Sequence, residues 1–197
     1  MPRLYRIIGV IMKFAYKLCA VLVFAALAMP LGAADQEKID LGKMREQIRM
    51  LESVLNTSLN QSFPGPFAYL DGARGAYLPG YGVVFTFEVN LSVNRGMAGP
   101  FGGAPQPSPK VRKDEEKQRR DQARAMAEKV IADFGHTVEQ LGANESLAIV
   151  IQGAAVGDHG VEKSTMVLRA SKHDIDGLRA NTLDRAAFLR KLQVLEY

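Results

Sequence analysis

From Val83 to Val93 the chain alternates. Val83, Phe85, Phe87, Val89, Leu91 and Val93 fall on one side, and Thr86, Glu88, Asn90, Ser92 and Asn94 on the other. Successive side chains of an extended strand point to opposite faces, so the pattern predicts a strand with one face buried and one wet. Such a strand belongs in an antiparallel sheet covered on one side only. The fold must therefore contain a sheet and a second layer that covers it. A partner lies immediately upstream: Ala73 to Leu78 reads as a strand and Pro79-Gly80-Tyr81-Gly82 as the connecting turn, which makes a hairpin.

Helical segments supply the cover. From about Glu37 to Leu59, the residues Leu41, Met44, Ile48, Leu51, Leu55 and Leu59 recur at spacings of three and four. They form one stripe, opposite Lys43, Glu46, Arg49 and Glu52. The seam is under three heptads, so packing on a sheet is expected rather than a coiled coil. Phe63-Pro64-Gly65-Pro66-Phe67 stops this helix, because proline has no N–H to donate. A second helix is predicted from about Val111 to Leu141. Its first half, VRKDEEKQRRDQ, is almost wholly charged, while Ala123, Ala127, Val130, Ile131, Phe134, Val138 and Leu141 share one face of the second half. It should begin in solvent and dock along its C-terminal half, with Gly142-Ala143-Asn144 as the stop.

Ser146 to Gly153 (SLAIVIQG) is apolar on both faces and reads as a central strand. Gly157-Asp158-His159-Gly160 turns the chain, and Lys163 to Ala170 returns as another strand. Short helices are expected near Asp174 to Arg179 and at Asp184 to Leu192, the latter N-capped by Thr182, before an extended piece at Val194 to Tyr197. The order α-ββ-α-ββ-αα predicts a two-layer α+β fold: an antiparallel sheet of about four strands with helices on one face. Asn94 to Lys110 holds four glycines and four prolines in 17 residues, and is expected to be a flexible loop.

Residues 1–34 read as a signal peptide. Arg3, Arg6, Lys13 and Lys17 form a positive flank with no acidic residue before Asp35, and Leu18 to Ala34 carries no charge. Pro30 breaks the apolar run, and Gly32, Ala33 and Ala34 supply a small-residue cleavage site. The strongly apolar part, Leu18 to Met29, is shorter than the ~20 residues of a spanning helix. Cleavage is therefore expected over an uncleaved inner-membrane anchor, and the protein is expected in the periplasm or outside the cell. Membrane contact would follow only if the segment were retained. Met12 offers an alternative start.

Removing this segment changes the charge balance. The chain has 25 Lys+Arg and 21 Asp+Glu; the four basic residues leave with the signal, so 21 face 21. A neutral protein lacks the basic surface that binds phosphate backbones, which argues against a nucleic-acid partner. Cys19, the only cysteine, leaves as well. Residues 35–197 must then fold as one disulfide-free domain on its core alone, and a chain near 150 residues buries enough surface to do so.

The segments AYLPGYGVVFTFEVNL, IADFGHTVEQL and SKHDIDGLRANTLDRAAFLRKL together resemble uncharacterised exported bacterial proteins, over about a third of the chain. The resemblance implies a bacterial envelope or secreted protein. It implies no activity and no catalytic residues.

No residue set demands a chemistry. Gly72-Ala73-Arg74-Gly75 and Gly80-Tyr81-Gly82 are followed by a strand, whereas phosphate loops run into a helix N-terminus. Asp174-Ile175-Asp176-Gly177 resembles the middle of a calcium loop, but Lys172 and Leu183 stand where ligating oxygens belong, so the carboxylates are assigned to a helix first turn. His159 and His173 flank a strand and lie roughly 25 Å apart, too far to share a metal. No catalytic residue, cofactor or metal site is therefore assigned. Tyr69, Arg74, Tyr77 and Tyr81 around the hairpin form the candidate recognition surface, since tyrosine and arginine combine contact area with hydrogen bonding.

The expected function is a non-enzymatic envelope binding or scaffolding module, with another envelope protein as its partner and no oligomeric state specified. The alternative is an exported small hydrolase with a site near Asp158-His159 under the 94–110 loop.

Overall fold

The computed structural model describes residues 39–65, 68–92, 108–157 and 160–197. The expected signal segment, most of the Gly/Pro loop and Asp158-His159 lie outside them. Among the described residues no helix is long and apolar enough to cross a membrane.

Helix α1 (Leu41–Ser62) starts at Asp40, whose side chain accepts hydrogen bonds from the N–H groups of Gly42 and Lys43. Capping these free donors fixes the start four residues later than the periodicity suggested. Met44, Ile48, Leu51, Leu55 and Leu59 are buried as expected, but Leu41 is 63% exposed. It sits in the first turn, before the helix reaches the sheet. Gln47 takes a place on the buried face instead, accepting from the N–H of Gln140 at 3.3 Å.

Strands β1 (Tyr69–Leu78) and β2 (Gly82–Asn90) form the hairpin, with Leu78 opposite Gly82. The N–H of Tyr81 donates to the carbonyl of Leu78 at 3.0 Å, with Pro79 at the second turn position and Gly80 at the third. Gly80 has φ +79°, the value that makes a type II turn select glycine there.

Helix α2 (Pro109–Phe134) then crosses the sheet and delivers β3 (Ser146–Gly157) beside β2, in parallel. Both neighbours of β3 are thus in place: β2 on one side and β4 (Gly160–Ser171), antiparallel, on the other. Helices α3 (Lys172–Arg179) and α4 (Arg185–Lys191) follow, and β5 (Gln193–Glu196) returns antiparallel to β4. The described strands form one sheet in the order β1-β2-β3-β4-β5.

The fold is α+β as expected. The sheet is mixed, however, because a strand–helix–strand crossover brings the chain back in the same direction. Helix α2 ends at Phe134 rather than Leu141, where a 3-10 turn (Gly135–Thr137) tightens the chain. Phe134, expected in the core, is 38% exposed, while Ile175 lies against Gly135. Val138 and Leu141 beyond the turn still reach the core. The cap of α4 is Asp184, not Thr182, whose hydroxyl donates back to the carbonyl of Gly177.

One core joins both layers. Val83, Phe85, Phe87 and Val89 of β2 meet Leu147, Ile149 and Ile151 of β3, Leu168 of β4, the α1 stripe, Ala127, Val130 and Ile131 of α2, Ile175 of α3 and Phe188 of α4. On the opposite face Thr86 and Gln152 are exposed. Burial of the first set is the main driving force, at roughly 1.5–3 kcal/mol for each large apolar side chain.

The two sheet edges differ. Along β1, the Asn56 side chain pairs with Ala73 as a neighbouring strand would: Oδ1 accepts from the Ala73 N–H at 2.7 Å, and Nδ2 donates to the Ala73 carbonyl at 3.3 Å. Glu52 accepts from the N–H of Gly75 at 2.7 Å. Helix α1 thus caps this edge at Ala73 and Gly75. At the other edge β5 covers only part of β4, from Met166 to Arg169, with Tyr197 extending the pairing to Thr165.

Candidate functional site

The four hairpin residues do not converge. Tyr69 and Tyr77 turn toward the helix layer, at opposite ends of β1, roughly 25 Å apart at the rise of a strand. The Tyr69 hydroxyl donates to Oδ1 of Asn60 on α1 at 2.8 Å. Arg74 lies on the opposite face and reaches only Asp71, at 3.7 Å between exposed groups. Tyr81 sits in the turn, with the Arg169 guanidinium 5.0 Å above its ring.

Tyr77 belongs to a different arrangement, centred on Glu145. This carboxylate is buried. One oxygen accepts from the Tyr77 hydroxyl at 2.7 Å and from the Gly80 N–H at 3.0 Å, and the other accepts from the Gly142 N–H at 2.9 Å. The Glu145 carbonyl accepts from the N–H of Lys172. Burial, followed by the hydrogen bond to Glu145 and its charge, pushes the Tyr77 phenol up to about 12. The cluster fastens the hairpin to the start of β3 and to α3. Three of the carboxylate's roughly four acceptor positions are filled from within the fold, which makes the cluster a clamp between the hairpin and β3.

The opposite end of the sheet carries a cleft. Between α2 and the C-terminal ends of the parallel strands β2 and β3 lies a cavity of about 220 Å³. Val89, Leu91, Ala123, Ile151 and Met166 make its floor and walls, and Arg120, Ser164, Thr165 and Glu196 its polar rim. The ends of parallel strands are the usual place for a ligand in open sheets. From Gly82 to Val89 along β2 is roughly 23 Å, so the cleft and the Glu145 clamp occupy opposite ends.

Arg120 is the notable group. Its Nε is buried and has no hydrogen-bond partner. Its neighbours hold it there. Arg119 donates from Nη1 to the carbonyl of Asn90 at 2.8 Å, pinning α2 to the end of β2, and Gln122 donates to the carbonyl of Ser62 at 2.6 Å, tying α2 to α1. Leaving a buried donor unsatisfied costs about 1–3 kcal/mol, more for a charged group. The sequence places Arg120 in a charged run that reads as solvated. Only the crossover over β2 and β3 reveals that the Nε of Arg120 is buried.

Other candidates bring no chemistry together. A second groove between α1 and α2, lined by Val54, Thr57, Met126, Val130 and Phe134 among others, is open and carries no buried unpaired group. Asp174 stands in the first turn of α3 as expected. Burial opposes its ionisation, but Lys191 and the Ser171 hydroxyl outweigh that and hold its carboxyl below the ordinary range. Asp176 pairs with Lys172. Among the described residues no group of three or more His, Cys, Asp or Glu side chains is placed to hold a metal. Asp158-His159 and residues 94–107 of the Gly/Pro loop lie outside the described residues.

No protein-family model, curated protein or solved structure matches the chain.

Proposed function

We propose that the chain is an exported, non-enzymatic binding module of the cell envelope, and that its ligand sits in the cleft beneath Arg120. The observation that carries this reading is the buried, unpartnered Nε of Arg120 at the rim of an apolar cavity. An acceptor brought by a ligand would satisfy a donor that the fold leaves unpaired, and a charge-assisted bond of this kind is worth about 1.5–3 kcal/mol. The cavity exceeds the ~150 Å³ that accommodates a benzene ring. The ligand this site suits therefore joins an acidic or carbonyl acceptor to one bulky apolar group. The N-terminal segment, with its positive flank and small-residue site, supports the envelope location.

Hexanoate, which joins a carboxylate to an alkyl chain, is the minimal probe. Titrated into residues 35–197 and followed by 15N NMR, it should shift the amides of Ala123, Gly153, Ser164 and Met166, with saturation in the millimolar range. Arg120→Met should abolish the shifts while keeping the fold. Shifts scattered over the surface, or unchanged in Arg120→Met, would discard the cleft as the ligand seat. Export is checked by fractionation, where absence from the periplasmic fraction would contradict it, and cleavage by N-terminal sequencing, where an intact Met1 or Met12 would contradict it.

A further inference from the structure

Beside the cleft, β4 is only half covered. Thr165 exchanges both backbone hydrogen bonds with Tyr197, at 2.8 and 3.0 Å. In an antiparallel pair such residues alternate with period two, so Lys163 and Val161 direct their own N–H and C=O groups to the same edge. Among the described residues no strand pairs with that edge beyond Thr165. Residues 160–163 are exposed, Val161 at 64%. These four backbone groups thus stand in a row next to the cavity rim, with no partner among the described residues.

The register links this edge to the cleft. Glu196 lies opposite Met166, and both turn toward the helix layer. Side chains of a strand repeat their direction every second residue. A residue placed opposite Ser164, in a strand continuing the line of β5, would therefore also turn toward the helix layer. That direction leads into the cavity, whose lining includes Ser164, Gly153 and Arg120.

We infer that the ligand is an extended peptide segment of another polypeptide, added as a strand along Val161–Lys163 antiparallel to β4. A bulky apolar side chain opposite Ser164 fills the cavity, and an adjacent acidic group meets Arg120. This rests on the cleft being the ligand seat, and adds the mode of attachment. Main-chain pairing supplies affinity in such strand addition, and the pocket beneath supplies selectivity. The charge of Arg120 and the row of free backbone groups together fit an acidic peptide strand better than a compact small molecule.

The test begins with a displayed library of random nonapeptides selected on residues 35–197, followed by synthesis of an enriched peptide. Enriched sequences should set an acidic residue beside a large apolar one. The bound peptide should slow amide exchange at Val161 and Lys163 at least tenfold. Lys163→Pro removes an outward N–H that the fold does not use, so the variant should fold yet bind at least tenfold more weakly, a loss of about 1.4 kcal/mol. Lys163→Ala should bind as the parent does. Arg120→Met should also lose at least tenfold. If no peptide is enriched, strand addition is wrong, and the hexanoate titration still judges the cleft separately. Binding that leaves the Val161 and Lys163 amides unprotected, or that tolerates Lys163→Pro, overturns the strand while sparing the cleft. Edge protection that is indifferent to Arg120→Met overturns the link between the two.

Discussion

Replacing Glu145 with glutamine should loosen the hairpin from the rest of the sheet. The carboxylate accepts three hydrogen bonds on two oxygens, from Tyr77, Gly80 and Gly142. Glutamine keeps the shape but offers one acceptor oxygen. If its oxygen faces Tyr77 and Gly80, its NH2 is forced against the N–H of Gly142, donor to donor. The flipped amide spares Gly142 and loses the Gly80 contact. Either way at least one bond disappears and the others lose their charge assistance. Hydrogen bonds to charged groups contribute about 1.5–3 kcal/mol each, so a net loss of about 2–3 kcal/mol is expected. For a domain of this size 1 kcal/mol corresponds to roughly 2–4 °C, which puts the fall in Tm at roughly 5–10 °C. Tyr77→Phe should cost about 1–2 kcal/mol. Because Glu145→Gln weakens the hydrogen bond that Tyr77→Phe removes, the double variant should fall short of their sum by about 1 kcal/mol. Urea unfolding of the four proteins, compared at equal m-value, gives these numbers directly. A Glu145→Gln variant within about 0.5 kcal/mol of the parent, or strict additivity with Tyr77→Phe, would refute the clamp.

Alkaline titration should find Tyr77 still protonated well above pH 10, since its phenol is raised from 10.0 to about 12. The fold holds this proton more tightly than the unfolded chain does. Its contribution to stability is therefore complete below pH 10 and is lost as the pH rises toward 12, which pH-dependent urea midpoints would register. Gly82→Ala should prevent normal folding, because the residue has φ +121° and a Cβ there would lie 1.9 Å from the carbonyl oxygen of Ser146; circular dichroism of the purified variant decides this. Phe188→Ala should cost about 3–5 kcal/mol by calorimetry, since this ring is fully buried where α4 meets the core. Asn56→Ala should lose about 1–2 kcal/mol and raise self-association in light scattering, by freeing both backbone groups of Ala73.

Much of the architecture was legible because it depends on local period. The α1 stripe beyond Leu41, the alternation of β2 as far as Leu91 and the inward face of β3 are buried as the residues require, whereas the other face of β3 leaves Gln152 exposed. The direction of pairing was not legible. Alternation reports a strand's two faces but nothing of its neighbour's polarity, so the parallel β2–β3 pair had to be read from the crossover by α2. Chain periodicity likewise could not place Leu41 or Phe134, which satisfy the helical repeat but lie beyond the contact with the sheet. Glu145 and Arg120 were invisible for a further reason. Glu145 acquires meaning only from Tyr77 and Gly80, more than sixty residues away in sequence, and Arg120 only from the strands that α2 crosses. Tyr69, Arg74, Tyr77 and Tyr81 are close in sequence, yet the pleat of β1 sends them to separate surroundings.

The unequal edges of the sheet would also fix a stoichiometry for the proposed strand addition. Asn56 and Glu52 occupy the β1 side at Ala73 and Gly75 as a counterfeit strand, which blocks templating along that stretch. A molecule able to accept a strand on one flank only is a terminator. It can take one guest, and it cannot pass the pairing on to a copy of itself. Strand-adding proteins risk open-ended fibres when both flanks are free. In the proposed strand addition, the helix that packs the core would limit the complex to one protein and one added strand.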